Sequence, residues 1–284
     1  VTTALYRVAL PGGEERLARG TIEAGPRELL DAAVGIDALL RADAGALGEV
    51  LRSAAGVADC PATARVLAPV GSQEIWCSGV TYERSRDARM EESREPSIYD
   101  RVYDAERPEL FFKAMGWRAR GPGESVAVRR DSGWDMAEPE LGLVLAADRG
   151  VAGYVIGNDM SSRTIEGENP LYLPQAKVYD QACGLGPAIV PADEVADPVF
   201  PVRMVLTRDG ETLFEGSTTT ARLRRSFDDL AGHLFRALRF PVGVLLLTGT
   251  GIVPDAEISL RAGDHVRIEM GALGVLENPV VAVG

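Results

Sequence analysis

The sequence predicts an α+β, β-rich fold: a large strand-built domain over residues 65–284, preceded by a small N-terminal α/β domain over residues 1–64. Three observations lead there. From Ile75 onward, short apolar runs are separated by Gly, Pro and Asp turns, the texture of strands. Residues 27–54 instead repeat apolar side chains at helical spacing. A content of 46% hydrophobic and 25% charged residues over 284 positions supplies a folded core and excludes wholesale disorder.

Residues 4–10 read as a strand, which Pro11-Gly12-Gly13 breaks. Leu29, Leu30, Ala33, Ile36, Leu39 and Leu40 then recur at helical spacing, followed by Leu47, Val50 and Leu51. After a strand-like stretch at 65–70, strands are expected over 74–78, 110–114, 138–145, 154–159, 188–190, 203–207, 244–248 and 265–270. Between the first two lies a polar insertion, residues 82–107, carrying Arg84, Arg86, Asp87, Arg89, Glu91, Glu92, Arg94 and Glu95. Such a run reads as solvated surface; a cover over a site is the functional alternative. One amphipathic helix follows Ser226, its N-cap, with Asp228 and Asp229 in the first turn and a stripe of Phe227, Leu230, Ala231, Leu234 and Leu238.

Lys+Arg 30 against Asp+Glu 42 gives a net charge of −12, which argues against a nucleic-acid partner. Cys60, Cys77 and Cys183 form no CxxC pair and suit a reducing cytoplasm as small buried side chains. No leader-like segment is evident, and the longest apolar run, near 242–247, is far below the ~20 residues of a spanning helix. A soluble cytoplasmic protein is expected. There are only two histidines. His233 lies beside the helical stripe and His265 faces away from Val266, Ile268 and Met270, so both read as structural or exposed, and a His-built site has little to draw on.

Carboxylates carry the chemistry instead. In Glu138-Pro139-Glu140-Leu141-Gly142-Leu143-Val144-Leu145, strand alternation sets Glu138 and Glu140 on one face and the leucines on the other. Two acids on one face repel unless neutralised, and a hard cation (Mg²⁺, Mn²⁺ or Ca²⁺) does so through oxygen ligands. The alternative is a strand that starts at the surface. Asp159, closing the run Gly153-Tyr154-Val155-Ile156-Gly157-Asn158-Asp159, is either a third ligand or a turn former. Lys177 and Asp180 stand ahead of the tight turn at Gly186-Pro187.

Together these segments resemble the fumarylacetoacetate hydrolase superfamily. Glu138-Pro139-Glu140-Leu141 resembles its E-x-E-L strand, and residues 153–163 its G-Y-x-x-x-N-D-x-S-x-R segment. Lys177-Val178-Tyr179-Asp180 with Leu185-Gly186-Pro187 resembles K-x-x-D…L-G-P; Thr248-Gly249-Thr250 and Gly263-Asp264 with Ile268-Glu269 resemble its last two motifs. The resemblance covers roughly residues 71–284. It implies a mixed β-sandwich roll, a homodimer or larger assembly of dimers, a small keto-acid substrate, and a divalent metal, Mg²⁺ first, held by Glu138, Glu140 and Asp159.

One motif departs. Hydrolases of the superfamily carry Y-x-x-H-x-x-E, whose His and Glu activate water; here Tyr82-Glu83-Arg84-Ser85-Arg86-Asp87-Ala88 puts Ser85 and Ala88 at those positions. The runs at 102–114 and 166–177 resemble instead the branch formed by 2-keto-3-deoxy-D-arabinonate dehydratases, which eliminate water to give 2-oxoglutarate semialdehyde. The resemblance then implies a metal chelated by the substrate's carboxylate and 2-keto oxygen, raising the acidity of C3. Lys177 is the first candidate for proton transfer, with a depressed pKa, or else an anchor for the substrate carboxylate. Glu109 is the candidate acid for the leaving hydroxyl, or a surface residue. Arg86, Tyr82, Gln175 and Thr250 are candidate binders of substrate oxygens, against surface or core roles. The competing expectations are an acylpyruvate-type carbon–carbon hydrolase, with Glu91 or Glu92 as a replacement base, and a keto-acid binding protein without turnover.

Overall fold

The structure, a computed structural model, describes residues 2–92 and 96–284, so Arg94 and Glu95 of the polar insertion lie outside the described residues. Strands β1 (Thr3–Ala9), β2 (Glu15–Thr21) and β3 (Gly25–Leu29) form an antiparallel meander, followed by helices α1 (Ile36–Arg41) and α2 (Ala46–Ser53) and the short strand β4 (Ala58–Asp59). The helix expected from Leu29 starts later. Leu29 pairs with Ala18 in the ladder and Leu30 donates its N–H to Leu17, so strand pairing overrides the helical spacing of those two leucines. Ile36, Leu39, Leu40, Leu47 and Leu51 do form the buried faces of α1 and α2.

The expected boundary at residue 64 falls between β4 and β5 (Arg65–Leu67), and β5 pairs back onto β1. The chain continues with β6 (Glu74–Gly79), α3 (Glu83–Glu92), α4 (Pro96–Asp104), β7 (Glu109–Met115), β8 (Val126–Arg129), β9 (Asp135–Met136), β10 (Pro139–Leu145), β11 (Val151–Asp159) and β12 (Ser161–Ser162). Then come α5 (Arg163–Glu168), α6 (Leu173–Lys177), β13 (Cys183–Pro191), β14 (Pro201–Arg208), β15 (Glu211–Thr219), α7 (Phe227–Leu234), β16 (Val244–Leu247), β17 (His265–Glu269) and β18 (Val275–Val283).

The strands make a mixed β-sandwich roll. An 11-stranded sheet runs β4-β3-β2-β1-β13-β11-β10-β16-β6-β7 with β5 also on β1, and a 5-stranded sheet runs β15-β14-β17-β18-β8. The first strand thus joins the large sheet directly, with Leu5 opposite Ile189. β10 is buried along its whole length and its two faces enter different clusters. Leu141, Leu143 and Leu145 pack with Met204, Leu206, Val266 and Ile268 of the smaller sheet. Val144 packs on the opposite side with Leu40, Leu47, Val155 and Leu245. Burying both faces removes the reading of Glu138 and Glu140 as the exposed start of a strand.

Ser226 caps α7 as expected, accepting the Asp229 N–H at 3.1 Å. The chain leaves the helix after Leu234, however, so Leu238 stays 40% exposed rather than completing the stripe. His233 Nδ1 lies 3.0 Å from the Asp229 carbonyl, and His265 sits half-buried beside inward-facing Val266. The cysteines are free, Cys60 half-buried and Cys77 and Cys183 buried. Among the described residues no helix is long and apolar enough to cross a membrane.

The insertion is the main correction. Residues 82–107 hold two helices, and α3 buries Ser85, Ala88 and Arg89. On a helix Ser85, Arg89 and Glu92 share a face, and that face turns inward.

Candidate active site

The acids come together because β10 and β11 are antiparallel neighbours. Pro139 pairs with Asn158, and the Asp159 N–H donates to the Glu138 carbonyl at 2.9 Å, which brings Asp159 beside both glutamates. Ligand oxygens of Glu138, Glu140 and Asp159 lie within 4.8 Å of one another, and all three residues are buried. Glu140 Oε2 accepts the Gly249 N–H at 2.7 Å. Gly249 has φ +94, and a Cβ there would lie 2.0 Å from Thr81 Oγ1, so both backbone and space demand glycine in that turn.

Two lysines grip Asp159, one on each oxygen. Lys177, at the end of α6, places Nζ 2.9 Å from Asp159 Oδ2, 2.9 Å from Glu138 Oε2 and 2.6 Å from Ser161 Oγ. Lys113, on β7 and fully enclosed, places Nζ 2.5 Å from Asp159 Oδ1 and donates to the carbonyls of Met160 (2.8 Å) and Lys177 (2.6 Å). The other oxygen of Glu138, Oε1, meets two guanidiniums at 2.8 Å each, Arg89 from α3 and Arg163 from α5. Arg89 also pairs with Glu92 (2.6 Å) and Glu166 (3.2 Å); Arg163 meets the same two acids at 3.5 Å.

These contacts divide the acids. Burial pushes the Asp159 carboxyl up, but Lys113 and Lys177 outweigh it and hold it below its ordinary range. Glu140 has no cation in direct contact among the described residues: burial, then repulsion from Asp159 and Glu138, pushes it well above, against a smaller pull from Lys177. For Glu109, burial and then Glu166 push the carboxyl up to about 7. Burial acts to depress Lys177, yet Asp159 and Glu138 win and hold it well above the ordinary lysine range. The depressed basicity expected of Lys177 is therefore not found, because its ammonium lies between two carboxylates.

Six acids of this cluster (Glu92, Glu109, Glu138, Glu140, Asp159, Glu166) face four cations (Lys113, Lys177, Arg89, Arg163), and two of the acids, Glu109 and Glu140, have no ion pair among the described residues. An oxygen triad with that excess fits a hard divalent cation. Of these two acids, Glu140 belongs to the triad itself.

A small pocket opens on the triad, and Lys177, Glu109 and Thr250 line it with Ser85, Arg89 and Glu166. The other three expected substrate binders lie elsewhere. The Tyr82 ring packs against Gly251, in the wall of a neighbouring cavity shared with Tyr103 and Thr218. Arg86 lies outside the pocket lining, paired with Asp87 (2.7 Å) and Glu83 (3.4 Å) and stacked 4.8 Å over the Tyr103 ring. Gln175 is exposed on α6, two residues from Lys177 and on a different side of the helix. Ser85 stands where the hydrolase histidine would, its hydroxyl donating to the Tyr82 carbonyl at 2.8 Å.

Lys113, Arg89, Arg163, Glu166 and Ser161 carried no assigned role in the sequence. Each lies inside or next to a motif that was singled out: Lys113 in Phe111-Phe112-Lys113-Ala114, Ser161 and Arg163 after Asp159, Glu166 at the head of Glu166-Gly167-Glu168. A lysine in an apolar strand was the available signal, since burial there demands a partner.

Comparison with known proteins bears on this geometry. A family model described as fumarylacetoacetate (FAA) hydrolase C-terminal matches residues 74–281. A probable 2-keto-3-deoxyxylonate dehydratase of Haloferax volcanii is 49% identical over 216 residues, 76% of this chain and 74% of that one. A 2-dehydro-3-deoxy-D-arabinonate dehydratase of Saccharolobus solfataricus is 42% identical over 221 residues, again 76% and 74%. A solved structure of 2-keto-3-deoxy-D-arabinonate dehydratase complexed with magnesium and 2,5-dioxopentanoate superimposes with a TM-score of 0.83 at 32% identity, covering 98% of this chain and 99% of that one.

Proposed function

We propose, from the premise that this chain belongs to the fumarylacetoacetate hydrolase family, that it is a magnesium-dependent dehydratase converting 2-keto-3-deoxy-D-arabinonate to 2-oxoglutarate semialdehyde (2,5-dioxopentanoate). The observation that carries this reading is the pair Ser85 and Ala88 on α3. Neither can activate a water, and the Ser85 hydroxyl is tied to its own helix start, while Lys177 and Glu109 flank the acid triad. The two sugar acids named for the relatives are compatible. In the D series a C2 carbonyl and a C3 methylene leave C4 as the only stereocentre, so 2-keto-3-deoxyxylonate and 2-keto-3-deoxyarabinonate are one compound.

Glu138, Glu140 and Asp159 would hold the magnesium ion. When bound, it supplies a Lewis acid for the carboxylate and 2-keto oxygen of the substrate, which makes the C3 proton more acidic. Lys177, held as an ammonium beside the triad, serves as the anchor for the substrate's anionic end. Glu109 is poised differently. A carboxyl pushed up to about 7 populates both protonation states near neutrality, so it can take the C3 proton and return one to the departing C4 hydroxyl. Loss of that water gives 5-hydroxy-2-oxopent-3-enoate; a proton shift from C5 to C3 and tautomerisation of the resulting enol complete the aldehyde. The Thr250 hydroxyl lies on the pocket wall, sharing hydrogen bonds with the Ile252 backbone, and is the remaining candidate contact to a substrate oxygen.

Purified protein with Mg²⁺ and 2-keto-3-deoxy-D-arabinonate should form an aldehyde captured as its hydrazone. Pyruvate released from an acylpyruvate, with no aldehyde from the sugar acid, would instead mark a hydrolase. Stabilisation by keto acids without turnover would mark a binding protein. A two-domain division near residue 64, a homodimer or tetramer, and a cytoplasmic location complete the proposal.

A further inference from the structure

We infer that the pocket selects a keto acid with an uncharged, hydroxylated tail and rejects one whose tail ends in a second carboxylate, with Glu166 and the fully engaged Arg89 as the residues that set this choice. The inference rests on the dehydratase reading of the site and assigns its specificity toward the substrate's tail.

Under the dehydratase reading the keto-acid head sits at the triad and Glu109 acts at C3 and C4, so C5 extends past Glu109. At the triad, an ammonium (Lys177) and the oxygens of Glu138, Glu140 and Asp159 suit a cation and an anionic keto acid. The rest of the lining carries Glu109, Glu166 and Arg89, the last in contact with Glu138 as well. Recognition of a second carboxylate needs an available cation, commonly an arginine presenting two donors. Arg89 is not available. Its Nη2 is on Glu138, its Nη1 on Glu92 and its Nε on Glu166, so all three nitrogens already face carboxylates. Arg163, buried behind the wall, meets the same three acids. Among the described residues the two guanidiniums nearest the tail are therefore already taken by Glu92, Glu138 and Glu166, and Glu109 has no cation in contact.

A tail carboxylate entering here would meet like charge with no cation to receive it. Hydroxyl groups have the opposite fate, since Glu109 and Glu166 offer acceptors to O–H donors. Discrimination of this kind works by penalising the wrong ligand rather than by tightening the right one. It also sets a consequence for the product: 2,5-dioxopentanoate carries an aldehyde at C5, and oxidation of that carbon gives 2-oxoglutarate, which the site would exclude.

The test uses two ligands that differ only at C5, 5-hydroxy-2-oxopentanoate and 2-oxoglutarate, titrated calorimetrically into the Mg²⁺-loaded protein. The hydroxy acid should bind at least about tenfold more tightly in the parent, like-charge contact being the source of the difference. In Glu166→Gln the ratio should shrink severalfold, mainly through tighter binding of 2-oxoglutarate. Equal or tighter binding of 2-oxoglutarate by the parent overturns the inference, and that comparison needs no variant to fold. A ratio unchanged in a folded Glu166→Gln protein removes Glu166 from it. Because binding is read without turnover, a protein that prefers the hydroxy acid but forms no aldehyde would defeat the dehydratase reading alone.

Discussion

Replacing Lys113 by methionine tests the packing beneath the site. Lys113 is 1% exposed, and its ammonium supplies the ion pair to Asp159 Oδ1 and the hydrogen bonds to the Met160 and Lys177 carbonyls. Methionine keeps the length and apolar volume of the side chain but leaves a carboxylate oxygen and two carbonyls without that donor. Breaking one half of a buried pair costs about 3–5 kcal/mol. With roughly 2–4 °C lost per kcal/mol in a chain of this size, the melting temperature should fall by about 10 °C. The effect should also reach the metal. Asp159 lies below the ordinary carboxyl range chiefly because Lys113, then Lys177, outweighs its burial, so losing Lys113 raises it. Magnesium affinity should then fall about 10–100-fold, the usual cost of losing a group that orients a ligand, and recover as pH rises. Thermal unfolding with and without Mg²⁺, together with calorimetric titration at two pH values, reads both effects. A melting temperature within about 2 °C of the parent and unchanged magnesium affinity would refute the reasoning.

Glu140→Gln should raise the melting temperature of the metal-free protein, because burial and the nearby Asp159 and Glu138 make that carboxylate costly to ionise, and should remove the stabilisation by Mg²⁺. At a metal concentration of about 100 times Kd, the parent gains roughly 2.7 kcal/mol that the variant lacks. Glu109 has a folded pKa raised to about 7, so its contribution favours the fold at low pH and is lost as pH rises from the ordinary carboxyl range through 7. Glu109→Gln should accordingly be more stable than the parent at pH 8 but not at pH 4, with turnover reduced about 100-fold or more; equal pH–stability curves would exclude the perturbed carboxyl. Ser226→Ala should cost about 1 kcal/mol by removing the α7 cap and leave magnesium affinity untouched.

The triad was legible in the sequence because a strand's period of two puts Glu138 and Glu140 on one side whatever surrounds them, and Asp159 ends a run whose apolar character marks a buried strand. Lys177 and Glu109 were legible through motif resemblance. What escaped was set by tertiary partners. Arg89 looks like one more charge in a polar insertion until α3 is known to be a helix whose Ser85–Arg89–Glu92 face meets Glu138 and Glu166. Arg86, three positions earlier, carries the same charge but pairs with Asp87 and Glu83 and stacks on Tyr103, and composition cannot separate the two. Leu29 and Leu30 fit a helical spacing by coincidence with α1 downstream. β15 went unread because Glu211–Thr219 has few apolar residues, as expected for an edge strand held mainly by pairing with β14.

The first strand pairs with β13, and the groups around the triad come from β6, α3, β7, β10, β11, α5, α6 and the turn after β16. No short piece of the chain contains the site. Contacts this distant in sequence must wait for large loops to close, which slows folding of sheet-rich chains. The magnesium site should therefore assemble near the end of folding: the ion would speed the early steps little and slow unfolding strongly. It acts as a lock on the finished fold rather than a seed for it.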